Sequence, residues 1–139
     1  MASVIFSIFE DLVGAVKSAV PERNIFLGSR PTLPEATEKL DKYVVIELPV
    51  SIEDIAVGNK KFVLQTTGVF YLFTRAKKDS TFRVNELSEF LSSIESLFPI
   101  SGKYCVAADP VVLLRGSDDY GFQVTSISFN LHTRVGVFN

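Results

Sequence analysis

Two helical apolar stripes, each followed by long alternating segments, constrain this chain most. Ile5, Ile8, Phe9, Leu12, Val13, Val16 and Val20 recur at spacings of three and four, as do Leu87, Phe90, Leu91, Ile94, Leu97 and Phe98. Such spacing gathers each set on one side of a helix. A helix with one apolar side must lay it on something, and the alternating runs supply a sheet. The pattern predicts an α+β fold in α-β-β-α-β-β order. Its core is an antiparallel β-sheet of four to five strands with both amphipathic helices packed on one face. At 139 residues the chain fits a single domain, 1–139.

The first helix is expected to begin near Ser3 or Ser7, where Ser7-Ile8-Phe9-Glu10 matches a capping box with Glu10 and Asp11 favouring its N-terminus. Pro21 ends it by Val20. Ile25–Leu27 reads as a short strand. The proline-interrupted, charged stretch 29–42 reads as a loop or arm. Tyr43–Ile52 is a strand carrying Ile46, Leu48, Val50 and Ile52 on one face, and Pro49 makes its end an edge or bulge. A hairpin loop at 51–61 returns the chain into a long strand, Phe62–Arg75. The second helix runs to Phe98, before Pro99. Strand segments Tyr104–Ala107 and Val111–Arg115 then flank Asp109-Pro110, and Gly116–Gly121 is a turn cluster. In the last strand the apolar positions change parity, from Phe122 and Val124 to Ile127, Phe129 and Leu131, which predicts a bulge near Thr125-Ser126.

Val69-Phe70-Tyr71-Leu72-Phe73 is apolar on both faces, unlike a strand with one wet side. One face meets the helices, and the other calls for a second cover, which a partner subunit would supply. Phe70, Leu72 and Phe73 are therefore expected at an interface.

No chemistry competes with this reading. A net charge of −2 and a pI of about 5.4 give no positive field for nucleic acid or an anionic membrane. Cys105 is the single cysteine, so no internal disulfide forms and a reducing compartment is expected. The longest apolar run is far too short to cross a bilayer, and acidic Glu10 and Asp11 interrupt the N-terminal stripe, against a signal peptide. A soluble, intracellularly made protein with no membrane contact is expected. His132 shares strand parity with Asn130 and Ser128, a polar face, and lacks a nearby nucleophile or carboxylate in sequence. Cys105, within an apolar strand, reads as packing. Asp118-Asp119 and Glu53-Asp54 read as turn acids, without the alternating oxygens of a calcium loop. The glycines form no phosphate-binding motif. No enzyme activity, catalytic residue, cofactor or metal is expected.

The amphipathic N-terminal helix, the opening strand Lys42-Tyr43-Val44-Val45-Ile46, the loop-bearing hairpin, the second helix and the terminal hairpin together carry a resemblance. In that organisation the chain resembles the tail-terminator and tail-completion (head–tail joining) proteins of tailed bacteriophages, including lambda-type minor tail proteins. The resemblance implies a non-enzymatic virion protein, made in the host cytoplasm, that forms a homo-oligomeric ring. Such a ring is commonly six-fold and joins tail tube to neck. In related neck arrangements it has twelve copies beneath the portal. Its partners would be other phage tail or neck proteins, and DNA would pass through without sequence-specific binding. Ring subunits meet head to tail and need two complementary patches. Besides the strand residues, the arm at Arg30 and Pro31 and the hairpin loop at Glu53, Asp54, Lys60 and Lys61 are expected to serve. The alternatives are a portal-proximal neck adaptor, or a cytosolic ligand-binding regulatory domain with Tyr71, Phe73, Phe90 and Phe129 lining a pocket.

Overall fold

A computed structural model describes residues 4–28, 39–48, 53–57, 61–77, 83–118 and 120–134. Helix α1 spans Val4–Val16 and helix α2 spans Val84–Glu95. The strands are β1 (Ile25–Leu27), β2 (Lys42–Glu47), β3 (Glu53–Val57), β4 (Lys61–Arg75), β5 (Ile100–Ser101), β6 (Cys105–Ser117) and β7 (Phe122–Thr133). The α+β class stands, with a richer sheet than expected: among the described residues, seven strands rather than four or five, in the order β1-β2-β4-β7-β6-β5, with β3 also paired to β4. It is mixed, because β1 runs parallel to β2 while every other pair is antiparallel.

Both helices press on one face, as the stripes predict. Ile8, Leu12 and Val16 of α1 and Phe90 and Ile94 of α2 share a buried cluster with Val44, Ile46, Phe70, Leu72, Ile127, Phe129 and Leu131. Phe70, Phe98 and Phe129 are mutually tilted at ring separations of 4.8–5.8 Å, within the favourable range for aromatic pairs. The expected capping box does not form. α1 begins at Val4, so Ser7 lies buried inside the helix and neither Glu10 nor Asp11 is in its first turn.

The opposite face carries its own, smaller apolar cluster. Tyr43, Val45, Phe73 and Phe122 are buried there, with Phe26, Leu40, Tyr71 and Val124 packed against them. Tyr43 stacks on Phe73 at 4.4 Å and meets Phe122 edge-on at 5.0 Å. The cationic head of Arg75 sits 4.4 Å from the Phe122 ring, and its Nη2 donates to the Leu40 carbonyl at 2.6 Å.

This second cluster explains the parity change in β7 without the expected bulge. β7 pairs with β4 in unbroken register from Arg75↔Phe122 to Gln65↔His132. Phe122 and Val124 fill the far-face cluster, whereas Ile127, Phe129 and Leu131 fill the helix-covered one. The irregularities lie on the neighbouring strand β6, between Ala108 and Val111 and between Leu114 and Gly116. Asp109, with φ of 60°, and Pro110 form the first of these, so the expected interruption is a bulge within one strand.

The hairpin region also differs. Glu53–Val57, expected inside a loop, is β3, paired from Glu53↔Gln65 to Val57↔Lys61. Residues 49–52, and 58–60 between β3 and β4 in sequence, Lys60 among them, lie outside the described residues. Among the described residues, β4 meets β7 only from Gln65 onward, and its first four residues, Lys61–Leu64, pair with β3 alone. Among the described residues, the β3–β4 hairpin thus projects beyond the last β4–β7 pair.

Candidate assembly interface

A surface built for self-association needs apolar side chains that the subunit cannot bury, or backbone groups that it cannot pair. Phe70 and Leu72 offer neither. Both are fully buried in the helix-covered core, which corrects their expected place at an interface. Phe73, on the far face, is 7% exposed. The two-sided apolar character of β4 is real, but on the far face Phe73 packs beside Tyr43, Phe122, Val124 and the β1 residue Phe26 and is almost wholly buried within the single chain.

Exposed apolar side chains gather instead on β6. Val111, Leu113 and Leu114 are 64%, 50% and 58% exposed. They sit on the outermost long strand of the sheet. β5 pairs only with Val106 and Ala107, so among the described residues the outer side of β6 from Ala108 to Ser117 has no strand partner. The pairings Val111↔Ser128 and Leu113↔Ser126 put these two residues on the far face, while Val112↔Ile127 turns Val112 toward the helix-covered core. Arg115, at the second bulge, donates from Nε to Ser126 Oγ at 3.1 Å and stays exposed beside Leu113. This edge is what the sequence reading missed. Its signal was present in Val111-Val112-Leu113-Leu114, four apolar residues in a row on a strand reading as ordinary.

The other expected interface residues divide. Glu53 and Asp54 open β3 and Lys61 opens β4, at the projecting hairpin. Arg30 and Pro31 of the arm, and Lys60, lie outside the described residues.

His132 is exposed on the far face, opposite Gln65 and Val106. No three His, Cys, Asp or Glu side chains among the described residues gather to hold a metal. Burial, reinforced by the Asp11 carboxylate, pushes the Cys105 thiol up to about 12, the reverse of what a nucleophilic cysteine needs. Asp118 acts as a turn acid: its Oδ1 accepts from the amides of Tyr120 and Phe122 at 2.8 and 2.9 Å. A cleft of about 310 Å³ opens between α2 and the β2–β4 end of the sheet. Asp41, Glu86 and Glu89 there alternate with Lys42, Arg75 and Arg83, so no single charge type is concentrated in it. The pocket expected from Tyr71, Phe73, Phe90 and Phe129 does not exist as one space. The first two belong to the far-face cluster and the last two to the helix-covered one.

No helix among the described residues is long and apolar enough to cross a membrane. No protein-family model matches the chain, and no curated protein does either. A solved structure with 15% sequence identity superposes at a TM-score of 0.52, covering 94% of this chain and 93% of that one. At that identity the similarity is one of fold, and it extends over nearly the whole length of both chains.

Proposed function

We propose that this chain is a structural, non-enzymatic subunit that assembles into a ring at a phage head–tail junction, capping the tail tube and joining it to the neck. The observation that carries this reading is the outer edge of β6, unpaired among the described residues, with Val111, Leu113 and Leu114 exposed along it. A long apolar edge strand is an aggregation hazard in a free monomer, and it is useful in a subunit that closes with its neighbours. The projecting β3–β4 hairpin supports the same reading, because a ring needs a second, different contact surface. The phage assignment itself comes from the resemblance in element organisation. Six copies at the tail end, or twelve in a neck adaptor, would leave a channel through which DNA passes without being read.

Light scattering of the purified chain, alone and mixed with tail and neck proteins, tests the proposal together with negative-stain micrographs. Rings support it. A chain that stays monomeric at every concentration and binds no tail or neck component overturns it. The ligand-binding alternative gains nothing, since its expected pocket residues sit on opposite faces of the sheet.

A further inference from the structure

The free edge of β6 and the projecting hairpin are complementary in direction, length and residue order. β3 runs opposite to β4, β4 opposite to β7, and β7 opposite to β6, so β3 and β6 are antiparallel within one sheet. Copies in a ring share one orientation along its axis. A neighbour's β3 therefore reaches β6 in the antiparallel sense. β3 is five residues long, Glu53–Val57, and the apolar stretch of the β6 edge is Val111–Leu114, followed by Arg115.

We propose that β6 of one copy takes β3 of the next as an added antiparallel strand, with Arg115 opposite Glu53, Leu113 opposite Ile55 and Val111 opposite Val57. The inference rests on the ring reading and specifies its contact. Added strands gain affinity from backbone hydrogen bonds and specificity from the opposed side chains. In this register the aliphatic residues Leu113 and Val111 meet aliphatic partners, and the acids Glu53 and Asp54 fall at the cationic end. Sliding the pair two residues either way sets Arg115 opposite Ile55 or Ser51 and loses the charge match. Pro110, which has no N–H to donate, ends the pairing on the β6 side. β5 already occupies the outer side of Val106 and Ala107, so the incoming strand must lie further along β6. Within a single copy, Glu53 is level with Val106 through Gln65 and His132. A contact further along β6 therefore means strands tilted to the ring axis, as in closed barrels.

Paired cysteines test the register. In a Cys105→Ala background, Leu113→Cys with Ile55→Cys, and separately Val112→Cys with Ala56→Cys, are oxidised at micromolar concentration. Either pair should yield a ladder of covalent oligomers up to the ring size, and Leu113→Cys alone should yield none. Independently, Arg115→Glu and Glu53→Arg should each weaken self-association roughly tenfold or more by setting like charges face to face, and the double variant should restore it. If rings form but neither cysteine pair cross-links and the charge reversals have no effect, this contact is wrong and the ring reading survives. Covalent dimers from Leu113→Cys alone would replace it with a two-fold β6–β6 pairing. A chain that neither assembles nor cross-links overturns contact and ring together.

Discussion

Asp11, in the middle of α1, holds Tyr104 at the entrance to β6: its Oδ2 accepts from the Tyr104 amide at 2.7 Å and from the Cys105 amide at 3.0 Å, while Oδ1 accepts from Lys103 at 3.2 Å. One carboxylate thereby satisfies three successive backbone donors and pins the first helix to the β5–β6 turn. Gly102 makes this possible, because a Cβ there would collide with the Asp11 carboxyl. Asp11→Ala should lower unfolding free energy by about 2–3 kcal/mol in urea titrations, since it orphans amides that bonded to a charged group. Asp11→Asn, which keeps one acceptor oxygen, should lose roughly half of that. Gly102→Ala should resemble the alanine variant.

A second close approach joins β4 to the core. A Cβ on Gly68 would lie 2.6 Å from the Phe129 ring. Gly68→Ala should therefore cost about 1–3 kcal/mol by overpacking. Phe129→Leu in the same chain should recover part of the loss, and a double-mutant cycle by chemical denaturation would report the coupling.

The Cys105 thiol sets an alkaline limit. Its ordinary value of 9.0 is pushed up to about 12, first by burial and then by the charge and hydrogen bonding of Asp11. Above pH 9 the unfolded chain releases this proton while the folded chain keeps it. The unfolded state then binds fewer protons, and stability falls as pH rises from about 9 to 12. Below that window the thiol contributes no pH dependence. Denaturation midpoints of Cys105→Ala should decline less over that range than those of the parent chain. At pH 8 the parent thiol should resist iodoacetamide until denaturant is added.

Charge introduced on the sheet should separate core from interface. Phe70→Asp places an unpaired carboxylate in the helix-covered core and should unfold the subunit. Leu113→Asp, on the exposed edge of β6, should leave the circular dichroism spectrum and melting temperature nearly unchanged and abolish larger species in light scattering. Retained assembly in a folded Leu113→Asp variant would remove this edge from the contact.

The helices were legible because a 3.6-residue period has one reading: Ile8, Leu12, Val16, Phe90 and Ile94 all reach the core expected of them. β7 was not, because a shift in apolar parity has two causes, an inserted residue or a change in the buried face. Only the partners Phe73↔Val124 and Phe70↔Ile127 distinguish them. β3 is hidden in the sequence because Glu53-Asp54 resembles turn chemistry, and its pairing to β4 is a tertiary fact. The Asp11 contact spans more than 90 residues of chain, beyond any local pattern. For the interface, Val69–Phe73 is apolar on two sides, as its sequence predicts. Phe73, on the side expected to meet a partner, is already buried in a cluster with aromatic residues from β1, β2 and β7, distant in sequence.

The face change in β7 carries a consequence for how the chain finds its alignment. Eleven successive residue pairs join β4 to β7. A slip of one position would turn Phe122 and Val124 outward at one end and Ile127, Phe129 and Leu131 outward at the other. Neither end could tolerate the error while the other absorbed it. The two aromatic nests therefore proofread a single strand pairing from opposite sides, and misaligned forms lose both together.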